Sequence, residues 1–455
     1  MSFEAINPAN GEKLAEVPAW DESAIDNALE QAVEVAPLWA ARPIAERCDL
    51  MRKAAQVLRD NQEEYAVLIS REMGKLIKEA RGEIEKCALV CDYYADNAPE
   101  FLHDEPIESD AGRSYVAYQP LGTVLAIMPW NFPFWQVFRF AAPALCAGNT
   151  GLLKHASNVP QCAQAIEDVF HKAGFPEGVF ITLMIRSGQV EKVIEDPRVK
   201  AVTLTGSEPA GRKVAATAGS VLKKSVLELG GSDPFIVLED ADLDEAVKSA
   251  VASRYLNCGQ SCIAAKRFIV VDAVAEDFVA RFKAGVESLQ PGDPLDENTT
   301  LAPMARADLR DELHKQVVDS LAAGAVNITG GEIDESLPGY YYKASILDQV
   351  SPGMRAFYEE LFGPVAIVIR ARDEADALRI ANDSSFGLGG NVWSQDTARA
   401  ERLARQLECG CAFVNSFVKS DPRLPFGGVK HSGYGRELSH HGMHEFVNAK
   451  TVWIK

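Results

Sequence analysis

Residues 121–127 read LGTVLAI, an uninterrupted apolar run, and three further runs of the same kind follow along the chain. They are 150–154 (TGLLK), 200–205 (KAVTLT) and 233–238 (DPFIVL), and helical stretches separate them. Continuous apolar strands that alternate with helices indicate a parallel sheet covered by helices on both faces. The sequence therefore predicts an α/β protein with doubly wound parallel sheets.

The regions before this core predict helices near 22–35, 44–60 and 62–95, because apolar residues recur there at three- and four-residue spacing. Residues 114–119 (SYVAYQ) alternate like an exposed strand, and residues 450–455 (KTVWIK) end the chain in a second strand-like segment. We expect such exposed strands to pair with a neighbour.

A second series of elements begins after residue 231. It comprises a predicted helix near 243–256 and predicted strands near 266–271, 364–370 and 411–415. With 455 residues, the chain is long enough for two or three domains. The second series therefore predicts another α/β unit.

The overall charge excludes several classes of partner. Asp and Glu total 65 against 46 Lys and Arg, a formal net charge of −19. Such an acidic surface repels phosphate backbones, which disfavours nucleic acids and anionic membranes. Apolar runs end well before the ~20 residues of a membrane span, and the first residues, MSFEAINP, do not resemble a signal peptide.

The nine cysteines are an odd, scattered set, unlike a disulfide framework. None has Cys or His partners at zinc-like spacing, so no metal site is predicted. We expect a protein of the reducing cytoplasm.

Residues 204–211 (LTGSEPAG) join a predicted strand to a predicted helix. Glycine lets the backbone approach a phosphate, and a helix N-terminus favours negative charge. The usual G-x-G-x-x-G dinucleotide fingerprint follows no predicted strand, however. Taken alone, this segment is more typical of a tight turn.

Cys262 and Glu228 are the candidate nucleophile and base. Cys262 lies in NCGQSC (257–262), although a lone cysteine is usually an inert small hydrophobe. Glu228 lies in VLELGG (226–231), between apolar neighbours whose desolvation raises a carboxyl pKa and makes a better base near neutrality. A solvated strand-edge residue is the alternative for Glu228.

Asn131 is the candidate oxyanion donor. It lies between two prolines in MPWNFP (128–133), where a buried strand ends. Ligands of α/β folds bind at this edge of a sheet, and an oxyanion-holding amide contributes roughly 3–4 kcal/mol. The alternative is an ordinary turn asparagine.

Taken together and in order, these segments are specific. The ordered set is PWN (129–131), Lys154, TGS (205–207), ELGG (228–231), GQSC (259–262), EELFGP (359–364) and PFGG (425–428). Glu228 and Cys262 are 34 positions apart, the interval expected in the aldehyde dehydrogenase superfamily, which the chain resembles from Asn7-Pro8 to its end.

This resemblance implies the aldehyde dehydrogenase fold with three parts. An NAD(P)-binding domain would comprise 1–111 and 121–230, and a catalytic domain would comprise 231–435. Residues 112–120 and 436–455 would form a small β arm through which subunits pair. A homodimer or homotetramer is expected.

The resemblance also implies a mechanism. Cys262 would attack the aldehyde carbon as a thiolate, and Asn131 with the backbone N–H of Cys262 would hold the oxyanion. Glu228 would then activate water to hydrolyse the thioester. A thiolate is a good nucleophile and its thioester a reactive acyl donor, so this division of labour is chemically sound.

NAD or NADP is the implied cofactor. Lys154 and Glu360 would bind the two riboses, and Phe362 would pack at the nicotinamide. The other implied cofactor residues are Met128, Pro129, Trp130, Asn131, Ser157, Gly206, Ser207, Gly211, Glu228, Leu229 and Gly230. NAD-strict relatives tend to carry Glu at position 157, where its charge repels the 2′-phosphate of NADP. This chain has Ser157 instead, which removes that repulsion.

The substrate is predicted from Arg139 and Ser420, which stand where succinate-semialdehyde dehydrogenases bind the carboxylate, with Gln136 as a further ligand. Leu256 replaces a second arginine of those enzymes. A small acid-tailed aldehyde is therefore expected. A helix arginine extending to solvent is the alternative for Arg139.

Other functions stay open. One is a broad-specificity aldehyde or aminoaldehyde dehydrogenase, and another is a catalytically silent structural or binding protein on this scaffold. Coenzyme A-dependent acyl transfer is disfavoured because Glu228 provides a hydrolytic base.

Overall fold

The computed structural model describes residues 2–455. Its α-helices are α1 (Glu22–Ala41), α2 (Ile44–Asp60), α3 (Gln62–Met73), α4 (Ile77–Phe101), α5 (Trp135–Cys146), α6 (Pro160–Ala173), α7 (Val190–Glu195), α8 (Glu208–Ser220), α9 (Leu243–Tyr255), α10 (Asp272–Glu287), α11 (Ala307–Ala322), α12 (Arg355–Tyr358), α13 (Glu374–Asn382), α14 (Thr397–Ala404) and α15 (Ser439–His444). Its strands are β1 (Ser2–Ile6), β2 (Lys13–Pro18), β3 (Glu105–Pro106), β4 (Arg113–Pro120), β5 (Thr123–Met128), β6 (Thr150–His155), β7 (Phe180–Thr182), β8 (Val199–Thr205), β9 (Lys224–Glu228), β10 (Asp233–Val237), β11 (Ala265–Val271), β12 (Val326–Thr329), β13 (Ser345–Asp348), β14 (Val365–Ala371), β15 (Gly389–Trp393), β16 (Cys411–Val414), β17 (Gly433–Tyr434) and β18 (Val447–Ile454).

The first large sheet has the order β17-β9-β8-β5-β6-β7, and all its pairings are parallel except that of β17. Its strands are buried, as continuous apolar runs predict. The register aligns Met128 with His155 and Thr205 with Glu228. These four residues therefore share the carboxyl edge of the sheet, where α/β folds bind ligands.

The second large sheet has the order β12-β13-β14-β11-β10-β15-β16, and β12 is its antiparallel edge. The chain passes from the end of β9 into the start of β10 through residues 229–232 alone. The carboxyl edge of the first sheet consequently adjoins the amino edge of the second. Cys262 lies at this amino edge, just before β11.

The third sheet has the order β18-β4-β3 and is antiparallel. The terminal strand pairs along its whole length with β4, from Val447 opposite Pro120 to Ile454 opposite Arg113. Half of Trp453 remains exposed at its end. The two strand-like segments predicted from the sequence thus pair with each other within one chain.

The predicted fold class is confirmed, since parallel sheets with flanking helices form most of the molecule. Several short strands were not predicted: β1, β2, β7, β9, β12, β13 and β15. The predicted helix over 62–95 is two helices, because α3 ends at Gly74 in the left-handed region. The division into domains stays a prediction, and β17 of the predicted catalytic segment pairs in the first sheet.

Among the described helices, none combines the length and the apolar composition needed to cross a bilayer.

A buried ion pair between Lys75 and Glu83 joins α4 to the start of α5. Both side chains are almost fully removed from solvent. The second carboxylate oxygen of Glu83 accepts the backbone N–H groups of Phe134 and Trp135, at 2.9 and 3.0 Å. The ammonium of Lys75 also lies 3.7 Å from the ring centre of Phe132. The pair therefore fixes the turn that follows Asn131.

Replacing Lys75 should destabilise the protein strongly. Lys75→Met leaves the charge of Glu83 buried without its partner, which costs about 3–5 kcal/mol. Lys78→Met, three residues later at the start of α4, is the matched control, because its side chain is 64% exposed and its ion pair with Glu297 contributes at most about 1 kcal/mol. Urea unfolding of both variants measures the difference, and equal stabilities would disprove this account.

Candidate active site

The loop before Cys262 has an unusual backbone. Asn257, Cys258 and Gly259 have φ angles of 53°, 55° and 70°, in the left-handed region that residues with a Cβ rarely adopt. The Asn257 amide offsets part of this cost by donating to the carbonyls of Asn131 (2.8 Å) and Gln260 (3.1 Å). Its backbone N–H donates to Glu79 at 3.0 Å. The loop is thereby tied to both α4 and the turn after β5.

Two buried cations fix the rest of this loop. Arg254 donates to the carbonyls of Gly259 and Ala265, at 2.7 and 3.2 Å. Lys266 donates to the carbonyls of Ser261 and Cys262, both at 2.9 Å. Because the carbonyls face these cations, the thiol of Cys262 is held in one orientation.

Cys262 lines a cavity of about 110 Å³. Aromatic side chains form much of the wall: Phe132, Trp135, Phe417 and Phe426. Burial raises the pKa of Cys262 to about 12, against the opposing charges of Arg139 and then Lys266. The sulfur is therefore protonated at rest, and the two cations stabilise the thiolate when it forms.

Asn131 is buried against the cysteine loop. Its amide nitrogen donates to the carbonyl of Gln260 at 3.1 Å, which leaves one amide hydrogen uncommitted. Its amide oxygen has no hydrogen-bond partner within residues 2–455. The structure thus brings this predicted residue beside the loop that carries Cys262.

Glu228 ends β9 and is 2% exposed. Neither carboxylate oxygen has a hydrogen-bond partner in the described part of the chain. Burial, followed by the nearby charge of Glu437, raises the pKa of Glu228 well above its usual range. An unpartnered carboxyl at this depth is a candidate proton acceptor.

Arg139, on α5, lines the cavity but is already paired. Its guanidinium forms a buried ion pair with Glu437 and donates to the hydroxyl of Thr205 at 3.2 Å. It also lies 4.9 Å from the ring centre of Phe426. The alternative of a helix arginine that reaches solvent is wrong, because Arg139 is 2% exposed.

The other predicted substrate residues also line the cavity. The Ser420 hydroxyl accepts a 2.6 Å hydrogen bond from Lys86 of α4, and Gln136 is buried with an unpartnered amide oxygen. Leu256 lines the same wall. Lys86 was missed, because one lysine in a charged amphipathic helix carries no sequence signal of its own.

Lys154 lies at the junction of two further cavities. One is an apolar slot of about 130 Å³, with walls that include Ile127, Leu204, Val214 and Thr217. The other is an open polar groove of about 600 Å³ lined by Ser157 and Arg186. Arg186 was missed because it follows β7, a strand of three residues without a sequence signal.

The segment around Gly206 has the features of a phosphate site. Ser207 begins α8, and its hydroxyl is exposed and makes no capping hydrogen bond. Glycine is required at position 211 by packing, since a Cβ there would approach Leu229 to 2.5 Å. A Cβ at Gly206 would meet only Leu204, at 3.5 Å. The fit to a phosphate therefore depends on Ser207 and the helix N-terminus.

Glu360, Phe362 and Trp130 lie on the nucleophile side instead. Glu360 accepts the N–H of Gly231 at 3.1 Å and pairs with Lys266 at 3.4 Å. The rings of Phe362 and Trp130 meet edge to face at 5.9 Å. Position 230 requires glycine, because a Cβ there would collide with the side chain of Glu360.

These two regions fit the two halves of a dinucleotide. The slot suits a flat base, while Lys154, Ser157 and Arg186 provide donors for ribose or phosphate oxygens. Glu360 provides an acceptor for a second ribose beside Cys262. The carboxyl edge of the first sheet carries three further predicted cofactor residues. These are Met128 and Pro129 at the end of β5 and Leu229 after β9.

Comparisons with known proteins agree with this geometry. The family model described as "Aldehyde dehydrogenase family" matches residues 1–452. The chain is 50% identical over the full length of both proteins to a probable succinate-semialdehyde dehydrogenase [NADP(+)] of Synechocystis sp.. It is 51% identical to the succinate semialdehyde dehydrogenase [NAD(P)+] Sad of Escherichia coli, covering 99% of this chain and 97% of that protein. The structure of succinic semialdehyde dehydrogenase from Streptococcus pyogenes with NADP+ is 40% identical, with a TM-score of 0.97 over 99% of each chain.

Alkylation of Cys262 should accelerate with pH well beyond the range of an ordinary thiol. Because its pKa is raised to about 12, the reactive thiolate fraction grows about tenfold per pH unit between about pH 7 and pH 9. Iodoacetamide labelling followed by peptide mass spectrometry measures the rate at this one residue. A half-maximal rate near pH 8.5 and a plateau about one pH unit higher, as for an unperturbed cysteine, would contradict the assigned burial.

Proposed function

The chain belongs to the aldehyde dehydrogenase family, and from this premise we propose that it oxidises a small acid-tailed aldehyde, succinate semialdehyde, to the carboxylate with NAD or NADP. One observation carries the proposal: Cys262 lines a small cavity together with the polar residues Lys86, Gln136 and Ser420. The names of the curated relatives support the choice of substrate.

The first chemical step forms a bond between sulfur and carbon. The Cys262 thiol gives its proton to water, and its sulfur attacks the aldehyde carbon while the carbonyl electrons move to oxygen. The free amide hydrogen of Asn131 and the backbone N–H of Cys262 would hold that oxyanion. Lys266 keeps the loop rigid during this step, since it binds three of its carbonyls.

A bound nicotinamide ring supplies the acceptor for the hydride that the tetrahedral adduct must lose. On this chain, Trp130, Phe362 and Glu360 would orient the ring and its ribose. The acyl group then remains on Cys262 as a thioester.

Hydrolysis of the thioester is the task assigned to Glu228. Its carboxylate takes a proton from water, the resulting hydroxide attacks the acyl carbon, and the carboxylate product leaves as the sulfur is released. Because the carboxyl is buried and has no partner, it is a strong base once ionised. It does not line the cavity itself, so we infer that a side-chain rotation or a bridging water connects it to the acyl group.

The cofactor groove favours acceptance of NADP as well as NAD. Ser157 and Arg186 line the groove together with Lys154, which puts a hydroxyl and two cations where a 2′-phosphate would be recognised. Arg186 is anchored by a 2.7 Å hydrogen bond to the carbonyl of Ser2. The NADP-containing names of the relatives agree with this assignment.

The third sheet supports a homodimer or homotetramer. Its outer strand, β18, has β4 on one side only, and the exposed Trp453 and Ile454 lie near its end. An open strand edge with apolar side chains suits pairing with a second copy.

Two variants test the mechanism together. Glu228→Gln keeps its place but cannot accept a proton, so it should release one burst of reduced cofactor per subunit and then stall. Cys262→Ala should give no burst, because no thioester forms. Stopped-flow absorbance and intact-protein mass spectrometry read the burst and the trapped acyl group. Steady turnover of either variant at the wild-type rate would refute the assignments.

Ser157→Glu should separate the two cofactors. The introduced carboxylate would repel a 2′-phosphate, so kcat/KM with NADP should fall about tenfold or more, roughly 1.4 kcal/mol, while NAD use changes little. Arg186→Met should act in the same direction by removing a cation. Initial rates with both cofactors at saturating aldehyde give the comparison, and equal losses with NAD and NADP would remove position 157 from the ribose site.

A further inference from the structure

We propose that Lys86, positioned by Ser420, binds the terminal carboxylate of the substrate, and that Arg139 serves as the counter-ion of Glu437 instead. This assignment depends on the proposed function, because it names the residue that makes the cavity select an acid-tailed aldehyde. It differs from the prediction made from the sequence, which gave that role to Arg139.

The surroundings of Lys86 are those of a cation without a partner. Its ammonium donates to the Ser420 hydroxyl at 2.6 Å and lies 4.0 Å from the ring centre of Trp135. Within residues 2–455, no carboxylate lies within 4.0 Å of it. Three other cations of this region, by contrast, are paired: Lys75 with Glu83, Arg139 with Glu437, and Lys266 with Glu360.

Such an arrangement costs stability in the absence of a ligand. Burial, and next the charge of Arg139, lowers the pKa of Lys86 to about 8. A partly buried ammonium regains the hydration it has lost through an anion and hydrogen bonds. Lys86 has spare donors, since its three N–H groups serve one hydroxyl acceptor and one ring face. A carboxylate entering the cavity would satisfy them.

Arg139 is poorly suited to the same task. Its partner Glu437 is buried, and both lie near the carboxyl of Glu228. If Arg139 turned to a substrate carboxylate, Glu437 would be left as an unpaired buried charge, which is strongly unfavourable. The arginine is better explained as a fixed positive charge that offsets Glu437 and favours the Cys262 thiolate.

The remaining walls fit a short bifunctional molecule. Cys262 and Lys86 line one cavity of about 110 Å³, so the two ends of a substrate can meet both in a small volume. Gln136 lines the same space and its amide oxygen has no partner in the described chain, which leaves the amide free to reorient toward a ligand. The cavity therefore suits a substrate whose carboxylate lies a short distance from its reacting carbon.

The experiment compares succinate semialdehyde with butanal, which has the same carbon chain without the acid. In wild type, succinate semialdehyde should have the higher kcat/KM. Lys86→Met, which keeps the apolar stem, should lower kcat/KM for succinate semialdehyde roughly ten- to a hundredfold, mainly through KM, and change butanal less than about threefold. Lys78→Met, an exposed lysine of the same helix, is the control and should change neither.

Two further measurements separate binding from folding. Lys86→Arg should restore part of the preference, and Ser420→Ala should lower it less than Lys86→Met, since it removes only the neutral partner. Comparing inhibition by succinate with inhibition by butyrate measures binding of the carboxylate independently of turnover. Thermal melting confirms that each variant is folded. If Lys86→Met does not fold, Lys86→Gln takes its place in the same comparison.

The outcomes distinguish this assignment from the proposed function. If wild type prefers butanal, the acid-tailed substrate is wrong and the role of Lys86 is lost with it. If wild type prefers succinate semialdehyde but a folded Lys86→Met keeps that preference, only the assignment to Lys86 is overturned. Equal losses for both aldehydes would likewise overturn it, because they would make Lys86 a structural residue.

Discussion

The active site depends on a backbone that the chain adopts at a cost. Three consecutive residues, Asn257 to Gly259, have positive φ, and non-glycine residues in this region cost of order 1–3 kcal/mol each. The surrounding structure offsets the cost with hydrogen bonds from Arg254, Lys266 and Asn257 to loop carbonyls. Because Arg254 lies on α9, Lys266 lies on β11 of the second sheet and Asn257 binds the turn after β5 of the first sheet, the loop that carries Cys262 requires both sheets to be assembled.

The electrostatics of the site follow from the same burial. Removing a thiol and a carboxyl from water raises the pKa of Cys262 and of Glu228. Both groups are therefore favoured in their neutral, protonated forms when no substrate is bound. Arg139 and Lys266 oppose this effect at the sulfur, and Glu437 reinforces it at Glu228. Cys262 and Glu228, the proposed nucleophile and base, therefore both feel the buried Arg139–Glu437 ion pair.

The sequence predicts what periodicity and order can encode. The runs at 121–127 and 150–154 form neighbouring parallel strands, and the ordered motifs come together as Cys262, Asn131 and Glu360 around one loop. Short strands such as β7 and β15 escape prediction because their pairing partners decide them more than their own residues do. Arg186 and Lys86 were not predicted as site residues for a related reason, since the side chains that surround each of them are distant along the chain.

Arg139 illustrates the limit most clearly. Its identity and position are visible in the sequence, but its partner Glu437 lies 298 residues later and is invisible to any local pattern. Lys86 is the converse case, an ordinary helix lysine whose burial beside Ser420 appears only after folding. The residue that selects the substrate can therefore lie on α4, apart from the hydrogen bonds that hold the cysteine loop. With recognition and chemistry on separate elements, the anchor can change while the nucleophile stays in place, which is how one catalytic loop can serve aldehydes with different tails.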